Sequence, residues 1–149
     1  MSEIAPIPVV ALHGHVIVTV QGAPTDSQIA ALREEICALV DARDAVGLAI
    51  DLSAVRELDS YLTRAIRDVA MLARLMGVAT VVCGIRPAVA ITLVDMGLEL
   101  PGVQTAMNLE RAVELLDELV AESERAEAED DDDAADGDDL ESGDEVDAG

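Results

Sequence analysis

The chain has 149 residues and a formal net charge of −22, from 31 Asp+Glu against 9 Lys+Arg, and its only aromatic residue is one Tyr. A surface this acidic has no electrostatic footprint for nucleic-acid phosphates or an anionic bilayer, and one ring makes no stacking platform for single strands. The apolar runs fall well short of the ~20 residues that span a membrane, and MSEIAPIPVV has no basic stretch followed by an apolar one, so a cytoplasmic protein without a secretory signal is expected.

The runs Val9–Leu12 and Val16–Val20 are apolar and rich in β-branched residues, and His13-Gly14-His15 between them predicts a hairpin. Thr25 with Gln28 three residues on has the form of a capping box, which starts a helix near Asp26. Its apolar rhythm is Ile29, Leu32, Ile36, Leu39 and Val40, and it stops before Gly47. Leu48–Leu52 predicts a strand, interrupted only by Asp51, and residues 53–60 are polar enough for a loop. A second helix carries Leu62, Ile66, Val69, Ala73 and Met76 in a stripe and ends at Gly77. Val78–Cys83 suits a central strand covered on both faces.

Pro87 fits the first position of a short third helix that runs to about Asp95, with Gly97 behind it. Val103–Ala106 predicts a last strand. Asn108 then caps a fourth helix with Leu109, Ala112, Val113, Leu116, Leu119 and Val120 inward. The order β-β-α-β-α-β-α-β-α makes the later strands parallel with right-handed crossovers. The fold class is α/β: a small mixed sheet with an N-terminal hairpin and about four helices packed against it.

The charge divides the chain. Residues 1–120 carry 16 acids and 8 Arg, whereas residues 121–149 carry 15 acids and 1 Arg. The first stretch has the length and apolar content of one domain. The second, with Asp130 to Asp133 in a row, offers too little apolar surface to offset its ordering entropy and is expected to be a disordered acidic tail. Solubility or adaptation to high salt is its simplest role.

Enzyme chemistry finds little support. Gly77, Gly84 and Gly97 stand singly at element ends, not in a phosphate loop, and there is no Lys. His13 and His15, two apart, share one side of a strand as a weak metal pair or stand as polar residues at a hairpin tip. Asp51, Glu57 and Asp59 are either paired carboxylates or solvated and capping groups. Cys37 and Cys83 read as reduced, buried thiols. No catalysis, cofactor or metal is expected. Asp59-Ser60, where a loop after a strand becomes a helix, is either an N-cap or a phosphorylation site.

Ala49-Ile50-Asp51-Leu52-Ser53-Ala54-Val55, with Leu58-Asp59-Ser60-Tyr61-Leu62-Thr63-Arg64, resembles the STAS domains of anti-sigma-factor antagonists. Leu75-Met76-Gly77, then Val81 to Ala90 and Thr92 to Gly97, resembles the stressosome branch, where LMG…TGI-x-P-x-VA-x-TL-x-x-x-G recurs. Asn108-Leu109-Glu110 before a Leu-rich helix fits as well, so the resemblance spans about residues 5–120. With few residues ahead of its first strand, the chain is similar to the bare RsbS type, not to the RsbR type with its extra N-terminal sensory domain.

The resemblance implies a STAS fold and a non-enzymatic stressosome scaffold. Such a scaffold holds a switch-protein kinase of RsbT type and releases it on phosphorylation. It also implies an RsbR-type paralogue, an RsbX-type phosphatase and homo- or hetero-oligomers of STAS domains. Ser60, directly after Asp59, matches the family's phosphorylated Ser, with Glu57, Asp59, Tyr61 and Thr63 as the kinase-binding neighbourhood. Tyr61 stands where Phe is common, Cys83 where the pattern has Thr, and the acidic tail lies outside the pattern. Two other readings stay open: a free-standing antagonist that binds an anti-sigma kinase directly, and an acidic module acting through its tail.

Overall fold

The computed structural model describes residues 5–42 and 44–144, with side chains through residue 130. In chain order these form β1 (Val9–Leu12), β2 (His15–Thr19), α1 (Asp26–Asp41), β3 (Gly47–Asp51), α2 (Ser60–Leu75), β4 (Ala79–Cys83), α3 (Pro87–Asp95), β5 (Gln104–Ala106) and α4 (Leu109–Asp144). The predicted order is the observed one.

The element boundaries have local causes. His13 and Gly14 take φ of 52° and 84° between β1 and β2, the positive pair that a tight hairpin matched to strand twist demands. At α1, Thr25 Oγ1 accepts from the Gln28 N–H at 3.2 Å and Gln28 Oε1 accepts from the Thr25 N–H at 2.8 Å. Both halves of the predicted capping box are therefore made. Pro87 opens α3, where its missing N–H removes no helical bond. Asn108 Oδ1 accepts from the Arg111 N–H at 2.9 Å to start α4.

The sheet runs β1-β2-β3-β4-β5, with β1 antiparallel to β2 and the other neighbours parallel. Each parallel crossover moves one strand over in the same direction, so right-handed connections send α1, α2 and α3 to one face. The register aligns Val16 with Leu48 and Thr80, and Val18 with Ile50 and Val82. Apart from Thr80, these belong to one apolar core with Ile29, Leu32 and Ile36 of α1, Leu62, Ile66 and Val69 of α2, and Val89 of α3.

The opposite face is narrower. His15, Gly47 and Ala79 form one row across it, and Ile17, Ala49 and Val81 the next. Two glycine or alanine side chains in the first row leave room for the start of α4, whose Ala112 and Leu116 are fully buried. A Cβ on Gly47 would overlap the His15 ring and come within 3.2 Å of Leu116 Cδ2. The strand over 79–83 is covered on both faces, as its continuous apolar run predicted.

His15 is 2% exposed, and its Nε2 lies 2.7 Å from Asp117 Oδ1. His13 is exposed in the turn. The two histidines therefore do not share one side of a strand: the hairpin turn takes only His13 and Gly14, and His15 is already part of β2.

The chain divides into a unit ending at Asp117 and a second beginning at Glu118, which takes in the expected inward residues Leu119 and Val120. The structure carries α4 on as helix through Asp144, where the charge run led to an expectation of disorder. Helical hydrogen bonds are local and need no core, and residues 121–129 are mostly Ala and Glu, both strong helix formers. Residues 145–149 of the expected tail lie outside the described residues.

Candidate functional site

The chain leaves the sheet at the carboxyl end of β3 and reaches α2 through residues 52–59. This loop is stiffer than its polarity suggested, because Leu52, Val55 and Leu58 are buried. The Ser53 N–H donates to Asp51 Oδ1 at 3.0 Å, and the Arg86 Nε–H donates to the Ser53 carbonyl at 2.9 Å. Gly84, at φ +72°, lies against this turn: a Cβ there would sit 2.8 Å from Asp51 Oδ1 and 3.0 Å from the Ser53 backbone nitrogen. Only glycine combines that φ with that approach.

The loop ends at Asp59, in extended conformation, whose Oδ1 accepts from the Leu62 N–H at 2.7 Å. Asp59 is therefore the N-cap of α2, and Ser60 is the first helical residue. Ser60 is exposed, and its hydroxyl has no hydrogen-bond partner among the described residues. Thr63, one turn on, is 5% exposed, and its hydroxyl donates to the Asp59 carbonyl at 2.8 Å with Met96 Sδ 3.2 Å away. Thr63 is thus a packed, bonded side chain and offers no open acceptor.

The Tyr61 hydroxyl donates to the Asp26 carboxylate in the first turn of α1. That hydrogen bond, ahead of desolvation and the Asp26 charge, raises the phenol above its usual 10. The hydroxyl that distinguishes Tyr61 from Phe thus ties together two helix starts. Glu57 is exposed. Asp51 and Asp59 are each committed to a backbone N–H, which is how capping groups behave and not how paired acid–base carboxylates do.

Four residues of α2 (Ser60, Thr63, Arg64 and Arg67) face Met96, Gly97, Leu98 and Glu99, beyond α3, across an open groove of about 360 Å³. Neither arginine stood out in the sequence. The signal was their spacing, since positions i, i+4 and i+7 from Ser60 fall on one helix face.

Cys83 is fully buried, and burial, reinforced by the Asp51 charge, pushes its thiol up to about 11. It stays protonated near neutral pH and is a poor nucleophile. Cys37 is only half-buried, and both cysteines are free. Among the described residues no helix is long and apolar enough to cross a membrane, and no three His, Cys, Asp or Glu side chains gather as metal ligands.

A five-stranded mixed sheet with three crossover helices is the framework of a known family. The STAS-domain family model matches residues 6–112, and the chain belongs to that family. Its likeness within the family is to RsbS and the stressosome proteins. A variant of RsbS from Moorella thermoacetica with one Ser replaced by Glu is 33% identical, with a TM-score of 0.68 over 78% of this chain and 99% of that one. A chain of the stressosome, described as a signal integration and transduction hub, is 36% identical, with a TM-score of 0.67 over 75% of this chain and 97% of that one. The Bacillus cell fate determinant SpoIIAA, solved in phosphorylated form, shares the fold alone, at 13% identity and a TM-score of 0.55 over 74% of this chain and 98% of that one. No curated protein matches. The chain is thus a STAS-domain protein with RsbS and stressosome relatives.

Proposed function

We propose that this chain is a non-enzymatic scaffold and phosphorylation switch that assembles with other STAS domains, among them an RsbR-type paralogue, into a stressosome. It holds an RsbT-type kinase on the surface around Ser60 and releases it once Ser60 carries a phosphate; an RsbX-type phosphatase resets it. Such a switch works in the cytoplasm, where the kinase finds ATP.

One observation carries this reading: the Ser60 hydroxyl is exposed and unbonded, while its polar neighbours Asp59, Tyr61 and Thr63 are all hydrogen-bonded within the protein. The chain supplies only the acceptor. Ser60 Oγ forms a bond to the γ-phosphorus, the bond to the ADP oxygen breaks, and the hydroxyl proton passes to a base of the kinase. The Ser-to-Glu exchange in the RsbS relative supports the reading, because it puts a negative charge where a hydroxyl stood.

The phosphate adds about −1.5 to −2 charge at one point of the binding face. A coupling of ~1–3 kcal/mol makes the kinase bind ~5- to 150-fold more weakly. Calorimetric titration of the kinase into unmodified and phosphorylated protein tests this, and equal affinities contradict it. Sedimentation of the chain mixed with an RsbR-type paralogue tests the assembly. A large co-complex is expected, whereas a small species bound to kinase alone favours the free-standing antagonist.

A further inference from the structure

The groove beside Ser60 gathers positive charge on a protein that is otherwise strongly acidic. Three of the other arginines are engaged. Arg33 lies 3.5 Å from Asp68, Arg111 lies 3.4 Å from Glu114, and Arg86 is bonded to the Ser53 carbonyl. Arg64 and Arg67 line the groove with Ser60, and neither makes an ion pair within 4.0 Å among the described residues. Two arginines without an ion pair among the described residues therefore line the same groove as the unbonded Ser60 hydroxyl.

The helix sets their reach. Arg64 is one turn from Ser60, where side chains four apart have Cβ atoms ~5–6 Å from each other. Arg67 is two turns away, about 10 Å along the axis. Side chains on a helix lean toward its N-terminus, the end of α2 where Ser60 stands. Glu57 and Asp59 flank the Ser, and Glu99 stands on the far wall of the groove. A phosphate on Ser60 faces these three carboxylates, and the arginine pair is the positive charge available to offset them. A guanidinium presents a planar fork of donors that fits phosphate oxygens in pairs.

We propose that this groove is a phosphate cradle: after modification of Ser60, its phosphomonoester is held by the guanidinium groups of Arg64 and Arg67 of the same chain. This rests on the reading of Ser60 as the phosphoacceptor and adds how the modified state is held. The phosphate folds back along α2, and in doing so it withdraws two cations from the surface offered to the kinase. Release then has two parts: a negative charge gained and two positive contacts removed.

The test uses full-length protein with phosphoserine incorporated at Ser60 during synthesis, which needs no kinase. Phosphorus NMR follows the second ionisation of the phosphate with pH. In the parent protein its midpoint falls at least about half a unit below the ~6 of a free phosphomonoester, because nearby cations favour the dianion. With Arg64→Gln and Arg67→Gln combined, Glu57, Asp59 and Glu99 remain and the midpoint returns to ~6 or above. Both arginines are exposed and Gln is a good helix former, so the variant should fold, which circular dichroism checks. Arg64→Lys with Arg67→Lys keeps the charge and should keep most of the shift. An identical midpoint in the parent and the charge-removing variant overturns the cradle and leaves the switch standing. Kinase-dependent phosphate mapped away from Ser60 overturns the switch reading without touching the outcome of this titration.

Discussion

Two helix starts in this domain solve the same problem with different residues. Both α1 and α2 must satisfy free backbone N–H groups in their first turn. At α1 a hydroxyl does the work: Thr25 Oγ1 accepts from Gln28 and is consumed by the cap. At α2 a carboxylate does it: Asp59 Oδ1 accepts from Leu62, and the Ser60 hydroxyl beside it is left over. The same local chemistry thus produces one closed terminus and one terminus with a reactive group to spare. What separates a hydroxyl consumed by a cap from a free one here is a single position in the capping frame.

The sharpest way to break this comparison is to remove each hydroxyl in turn. Ser60→Ala should abolish phosphate incorporation by the kinase while leaving thermal unfolding almost unchanged, because the cap belongs to Asp59. Thr25→Ala should do the reverse, with phosphorylation retained and about 1 kcal/mol of stability lost. Asp59→Ala should cost a similar ~1 kcal/mol in chemical denaturation. If Ser60→Ala proves the more destabilising of the neighbouring pair, Ser60 is the cap and the assignment is reversed.

A smaller effect tests the bridge between the two termini. Tyr61 is the only tyrosine, so phenolate absorbance reports it alone. Its folded-state pKa is raised above 10 by the hydrogen bond to Asp26. The stabilisation it contributes is therefore complete below 10 and lost as pH rises through the folded pKa. Asp26→Asn should bring the titration midpoint down toward 10. An unchanged midpoint in that variant would remove Asp26 as the cause.

The smallest effect concerns the acidic segment. We expect truncation after residue 120 to leave the unfolding temperature nearly unchanged at moderate salt. At low salt a slight rise is expected, as repulsion between like charges, which then reaches across a Debye length of ~30 Å at 0.01 M, is relieved. A large loss of stability would show that the first unit depends on the segment.

Much of this was legible in the sequence because the signals are local. The Thr25–Gln28 spacing, Pro87, Gly77 and Asn108 each mark a boundary within a few residues of itself. The predicted strand at Leu48–Leu52 appears at Gly47–Asp51. Contacts between distant segments left no such mark. His15 and Asp117 are 102 positions apart, so nothing in either neighbourhood announces their hydrogen bond. The groove has the same character: Ser60 and Arg64 are close in sequence, but the wall from Met96 to Glu99 arrives from beyond α3. The Asp59-Ser60 pair is visible in the sequence, yet only the geometry divides the roles between cap and free hydroxyl. For the segment beyond Val120 the charge run and the helix propensity of Ala and Glu point in different directions, and the expectation followed the charge.

The central claim is that Ser60 is the acceptor, and peptide mapping by mass spectrometry after incubation with the cognate kinase and ATP tests it most directly. One phosphate on Ser60, with Thr63 and the other hydroxyls unmodified, is the predicted result. Phosphate on Thr63 or elsewhere, with Ser60 untouched, would contradict the account.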